Sequence, residues 1–169
     1  TGSTSSSVLG ALGFSFFGGA SSYLDTSSTP SNNGVFRHET GAVSGTLCPT
    51  YFNGSVGTIN PAVTSNCVWI CRTTTNDANT TIRIGEIGDI GSNPPTNGIY
   101  FEKLDGDTNW FMVSRLAGVQ TRTNSGIAVS TNYDRFELNI ASGTITYKIN
   151  NTTVGTISTN IPIVMLNRS

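Results

Sequence analysis

The run R-F-E-L-N-I at 135–140 and the run T-I-T-Y-K-I at 144–149, separated by Ala141-Ser142-Gly143, decide the fold. In the first run Phe136, Leu138 and Ile140 fall on one side and Arg135, Glu137 and Asn139 on the other. The second run places Ile145, Tyr147 and Ile149 inward and Thr144, Thr146 and Lys148 outward. Alternation of this kind is the strand period, because successive side chains leave a strand on opposite faces. Ser142-Gly143 and Asn150-Asn151 are turn pairs, the latter made of residues that tolerate positive φ. Val154 and Ile157 continue the pattern on a return strand. The region is a three-strand antiparallel meander with one apolar face.

The same reading extends in both directions. Strands are expected at 35–40, 46–53, 67–74, 80–87, 99–104, 110–116, 119–124 and 127–130. Turn signals separate them: Asn53-Gly54, Asn60-Pro61, Asn93-Pro94-Pro95, Asn97-Gly98, Asp105-Gly106 and Asn124-Ser125-Gly126. Many short strands at this spacing predict a sandwich of two antiparallel sheets. No helical periodicity interrupts them. The composition agrees, since Thr (25), Ser (20), Asn (17) and Gly (19) dominate the 169 residues, and all are weak helix formers.

Residues 1–33 read differently and are assigned as an N-terminal arm, leaving 34–169 as the sandwich. The arm opens on Ser-rich, low-complexity sequence and then carries the apolar residues Leu12, Phe14, Phe16 and Phe17. Asp25 is its one charged side chain. An exposed apolar patch in a soluble protein marks a contact, so these four residues are expected to bury against a partner. The alternative is an edge strand packed on the chain itself. The 13-residue apolar stretch at 8–20 contains four glycines and is shorter than the roughly 20 residues a helix needs to cross a bilayer.

Charge narrows the functional classes. Lys and Arg number 9, Asp and Glu 10, for a net charge of −1, which excludes a basic nucleic-acid footprint. Asp105-Gly106-Asp107-Thr108-Asn109 imitates the start of a calcium loop but lacks its later Gly and closing Glu, so it reads as a hairpin turn. A pair of glycosidase carboxylates would have to come from Glu39, Glu86, Glu102 and Glu137, with Glu86 and Glu102 the conceivable neighbours across a strand pair. His38 has no nucleophile motif beside it. No catalytic residue, cofactor or metal site is assigned. Cys67 and Cys71, four residues apart on one strand, are about 13 Å apart at about 3.3 Å per residue, too far for a disulfide. The expectation is reduced, buried thiols, with a bridge from Cys48 left open. Aromatic residues offer either core or contact surface. Trp69 is expected in the core, while Tyr51, Phe52, Tyr100 and Trp110 are candidates for a glycan or subunit contact.

The ordered runs T-T-I-R-I-G-E-I-G-D (80–89), N-P-P-T-N-G-I-Y-F-E (93–102), N-W-F-M-V-S-R (109–115) and T-R-T-N-S-G-I-A-V (121–129) resemble a concanavalin A-like jelly-roll domain of tailed-bacteriophage virion proteins. R-F-E-L-N-I and Y-K-I-N-N-T-T-V-G-T-I continue the likeness, which spans roughly residues 35–162. One departure is Asn150-Asn151 where such hairpins carry Asn-Gly; another is the lack of an acidic cluster or aromatic platform of the sugar-binding members. The resemblance implies a two-sheet jelly roll serving as a capsid decoration (cement) protein or a fibre module, often trimeric. The expected partners are the major capsid protein and other copies of the chain as a homotrimer, at the capsid surface of a virion assembled in the host cytoplasm. With no repeat and no coiled-coil heptads, cement is favoured over fibre. A carbohydrate is the partner in the rival reading, a receptor-binding module. Neither nucleic acid nor membrane is expected.

Overall fold

The computed structural model describes residues 61, 63–73, 80–89 and 93–163, together with the backbone of six further short strands. Those are β1 (Phe14–Phe16), β2 (Ser21–Leu24), β3 (Phe36–Glu39), β4 (Thr50–Phe52), β5 (Thr58–Ile59) and β14 (Leu166–Arg168). The chain divides into two compact units, Thr1–Gly57 and Thr58–Ser169. Every described element is a strand, and no described helix is long and apolar enough to cross a membrane.

The N-terminal unit contains two antiparallel pairs. β1 pairs with β4, setting Phe14 opposite Phe52 and Ser15 opposite Tyr51. β2 pairs with β3, Ser21 opposite Glu39 through Leu24 opposite Phe36. Strands at 36–39 and 50–52, placed by the sequence reading within the sandwich, thus hydrogen-bond with strands from the first 33 residues. A three- or four-residue strand leaves a row of unpaired amides unless a second strand meets it, and proximity along the chain favours that pairing.

The second unit is a β-sandwich. Its remaining strands are β6 (Ser65–Cys71), β7 (Ile82–Ile87), β8 (Gly98–Lys103), β9 (Asn109–Leu116), β10 (Val119–Ala128), β11 (Asp134–Ala141), β12 (Thr144–Ile149) and β13 (Thr152–Ile157). One antiparallel sheet has the order β10-β9-β8-β7-β14-β5 and the other β13-β12-β11-β6. Ile84, Ile99, Phe101, Trp110 and Met112 from the first meet Cys67, Phe136, Leu138, Ile140, Ile145, Tyr147 and Ile149 from the second in one apolar core. Phe101 packs edge-on against Phe136 and Tyr147, at centroid distances of 5.1 and 5.2 Å. Such offset rings add about 0.5–1.5 kcal/mol per pair beyond area burial. The Tyr147 hydroxyl crosses the core to donate to the Val113 carbonyl at 2.6 Å, so the buried phenol is paired and pins the sheets together.

The meander at 134–157 forms as its alternation predicts. Phe136 stands opposite Ile149 and Ile140 opposite Ile145, with Ser142-Gly143 and Asn150-Asn151 at the two turns. All four turn residues have positive φ (44°, 75°, 51° and 66°), the geometry of type I′ hairpins. The predicted strands 119–124 and 127–130 are instead a single strand, β10, with a bulge between Asn124 and Ala128. Gly126 takes a φ of 75°, and the Ser125 hydroxyl donates to the Trp110 carbonyl at 2.6 Å. The turn chemistry therefore bends the strand without ending it.

Candidate functional site

Strands β7, β8 and β10 of the six-stranded sheet carry linked charges on the side away from the core. On β7 and β8, Arg83 faces Glu102 across the pair, and on β9 and β10 Val113 faces Arg122. Glu102 accepts from Arg83 Nε at 2.9 Å through one oxygen and from Arg122 Nε at 2.8 Å through the other. Arg122 also pairs with Asp107, and its guanidinium lies 3.4 Å from the centroid of the Phe111 ring. The Glu102 side chain is only 3% exposed. A carboxylate so far removed from water is stabilised only when cations and hydrogen bonds occupy its oxygens, and here both are occupied. This row is an ionic brace across three strands.

Beside it lies an apolar patch made of Ile87, Tyr100 and Val113. Tyr100 is 0% exposed, although it points away from the main core. Its ring packs against Gly98, and its Cα and Cβ against Gly85. A Cβ on Gly98 would stand 2.7 Å from Tyr100 Cε1, and a Cβ on Gly85 would collide with the Ile99 carbonyl oxygen and come within 2.6 Å of Tyr100 Cα. Burial and the Glu102 charge push the Tyr100 phenol above its ordinary pKa of 10, while Arg83 and Arg115 act in the opposite direction.

Residues 93–97, which lead into β8, lie across this face. Asn93 Oδ1 accepts from Arg83 at 2.9 Å, and Pro95 is buried. The foot of the loop is held by Asp89, whose carboxylate accepts the Thr96 amide at 2.8 Å. The Ala117-Gly118 turn joins it, with Gly118 N donating to Thr96 O at 2.8 Å and Ala117 N to Asn97 Oδ1 at 2.9 Å.

A second ionic cluster sits on the outer face of the four-stranded sheet. Glu137 is paired with Arg135, and its Oε1 accepts from Asn139 at 2.9 Å, Lys148 at 3.3 Å and Asn66 at 3.3 Å. The Arg135 bond, then the Asn139 bond, hold the Glu137 carboxyl down at about 2. The outward side of Glu137 was legible in the sequence; the four donors that converge on it were not.

The aromatic contact candidates fall as follows. Trp110 is 2% exposed, its ring edge-on to Phe136 at 4.9 Å, and Tyr100 is fully buried. Trp110 takes the core alternative and Tyr100 is buried in the patch on the outer face, so neither ring retains a face for a sugar to stack upon. Trp69 is half-buried against the same core. Phe14, Phe16, Tyr51 and Phe52 lie on β1 and β4, where Phe14 opposes Phe52, but their side chains, like Leu12 and Phe17 entirely, are outside the described residues. The side chains of His38 and Glu39 are outside them as well.

Chemistry-bearing candidates separate in space. Glu86 shares the core side of β7 with Ile84, whereas Glu102 shares the outer side of β8 with Tyr100, so the two glutamates occupy opposite faces of the sheet. Asp107 folds back to accept the Leu104 amide at 2.7 Å and to pair with Arg122, closing a turn in which Gly106 has a φ of 78°. Among the described residues no group of three or more His, Cys, Asp or Glu is placed to hold a metal ion. Cys71 carries a free thiol, Cys67 is buried, and Cys48 lies outside the described residues. Burial, with the Asp134 charge second, pushes the Cys71 thiol up to about 12, where it is protonated and inert at neutral pH. No protein-family model and no curated protein matches the chain.

Proposed function

We propose that the chain is a non-enzymatic structural protein of a tailed-phage virion, a jelly-roll cement protein that binds the outer surface of the major capsid lattice as a homotrimer. The observation carrying this reading is strand β6. It forms one edge of the four-stranded sheet, and over Ser65–Cys71 it has neither a charged residue nor a proline. Its outward residues Val68 and Ile70 are 39% and 69% exposed. Sheet edges of free-standing proteins are blunted with lysine, proline or a bulge, since an open edge pairs with other chains. An unguarded edge suits a chain whose working state is an assembly. The jelly-roll assignment draws support from β14, which returns after the second sheet to lie beside β7, the long return connection of a Greek-key winding.

Adhesion also fits the engagement of the carboxylates. Glu102, Glu137, Asp107 and Asp134 all accept hydrogen bonds or ion pairs from neighbours within the chain. A carboxylate so held is a brace and a poor general base. The mechanism is mass action: a chain that binds assembled capsid subunits and not free ones stabilises the shell.

The test adds purified chain back to virions that lack it and compares wild type with Val68→Lys and Ile70→Lys. Occupancy is expected to fall in both variants while the unfolding midpoint stays within about 1 kcal/mol of wild type, as for exposed positions. Genome release on heating should then shift to lower temperature. Full occupancy of both lysine variants removes the edge strand from the account, and a release temperature indifferent to the chain removes the cement role.

A further inference from the structure

We infer that the outer face of the six-stranded sheet carries an oxyanion site formed by Tyr100 and Arg115, which takes a carboxylate or a phosphate-type group. The backbone register places the two together. Gly98 of β8 lies directly across from Arg115 of β9. The Tyr100 ring leans along its own strand over Gly98, since a Cβ there would meet Tyr100 Cε1 at 2.7 Å and Cδ1 at 2.9 Å. The phenol end is thereby carried to the row that Arg115 occupies, because residues opposite one another across a strand pair have Cβ atoms about 5 Å apart.

Both groups arrive with donors that have no acceptor. The Tyr100 hydroxyl, which the Arg83 guanidinium approaches as a donor, and Arg115 Nε are buried and meet no acceptor among the described residues. Charge is unmatched in the same place. Arg83 and Arg122 share Glu102, and Arg122 adds Asp107, whereas among the described residues Arg115 makes a hydrogen bond only to the neutral Gln120 amide oxygen, at 2.6 Å. Among the described residues Arg115 thus has no carboxylate partner. Arg Nε can only donate, and a buried donor left unmade costs about 1–3 kcal/mol. An anion satisfies both donors and the charge at once. A water molecule satisfies the donors alone. Arg115 itself is half-exposed, and Ile87 and Val113 are buried together with the Tyr100 ring.

The experiment follows the Arg115 Nε–H resonance of the 15N-labelled full chain during separate titrations with inorganic phosphate and with acetate. Thermal unfolding with and without each anion is measured in parallel. The expected result is a saturable shift and a rise in Tm for wild type, with affinity about tenfold or more weaker in Tyr100→Phe. Arg115→Gln, read by Tm, should lose the anion effect as well. It keeps the assay informative should the tyrosine variant fail to fold. Response to phosphate alone assigns a tetrahedral oxyanion, and response to acetate assigns a carboxylate. A resonance indifferent to both anions overturns the site. So does an equal response in wild type and Tyr100→Phe, which reports only ions gathering round an exposed guanidinium. Neither outcome bears on the edge strand β6 or on the cement role.

Discussion

The two outer faces of the sandwich follow opposite rules. On the four-stranded sheet, β12 alternates without a break between half-buried Thr144, Thr146 and Lys148 and buried Ile145, Tyr147 and Ile149. On the six-stranded sheet every residue of β8 from Gly98 to Lys103 is buried. The first face is an antiparallel sheet with one side in water. The second is roofed in part by the 93–97 loop and braced by charge, with Glu102 between two arginines and Tyr100 against two glycines. Thr, with its short branched side chain, serves an open strand face without help. A covered polar face needs every donor and acceptor accounted for, and the Glu102 row supplies that account in all but Tyr100 and Arg115.

The contrast predicts unequal tolerance to substitution. The largest effect is expected from Glu102→Ala, which leaves Arg83 and Arg122 facing each other without the carboxylate. Breaking a buried pair of this kind costs about 3–5 kcal/mol. Urea unfolding measures it, and a loss under about 1 kcal/mol would show that the brace is dispensable.

Glycine positions sharpen the comparison next. Gly85→Ala drives a Cβ into the Ile99 carbonyl oxygen and the Tyr100 backbone, which cannot yield without moving the strand. Gly155→Ala on β13 meets only the flexible end of Met112, with Cε 2.6 Å away. The first is expected to destabilise by about 2–3 kcal/mol and the second by less than about 1 kcal/mol. Equal losses would mean that Tyr100 is not held against Gly85 in solution.

The smallest effect belongs to the open face and depends on pH. With its carboxyl held at about 2, against an ordinary 4.5, Glu137 contributes stability that is complete above the unfolded value and is lost as pH falls toward about 2. Glu137→Gln should therefore lower stability by about 1–2 kcal/mol near neutral pH. The gap to wild type should close through that acid window. A gap that persists unchanged below it would place the effect in packing, with charge irrelevant.

How far the residue order could be read differs between the same two faces. In β11 and β12 the apolar side is unbroken, so Phe136, Leu138, Ile140, Ile145, Tyr147 and Ile149 were identifiable as core, and all are buried. In β8 the order G-I-Y-F-E-K offers Tyr100 and Glu102 as an outward face, and nothing local tells that the face is covered. Trp110 heads a strand whose two sides both carry apolar residues, so its side was undecided until the opposite sheet supplied Phe136. The strands of the N-terminal unit posed a different difficulty. Each is only three or four residues long, and local alternation of that length names no partner.

Local pattern alone therefore determined the strand-only character, the positions of the hairpins and the core side of the meander. Alternation, turn chemistry and positive-φ tolerance act between residues only a few positions apart. The tertiary structure decided the rest: that Glu102 becomes a shared anion for arginines 19 and 20 residues away, that Glu86 and Glu102 face apart, and that Arg115 is left without a carboxylate partner among the described residues. Those outcomes follow from the pairing of strands distant in sequence and from the loop laid across one face. The charges that meet there are selected by geometry that no single stretch of chain contains.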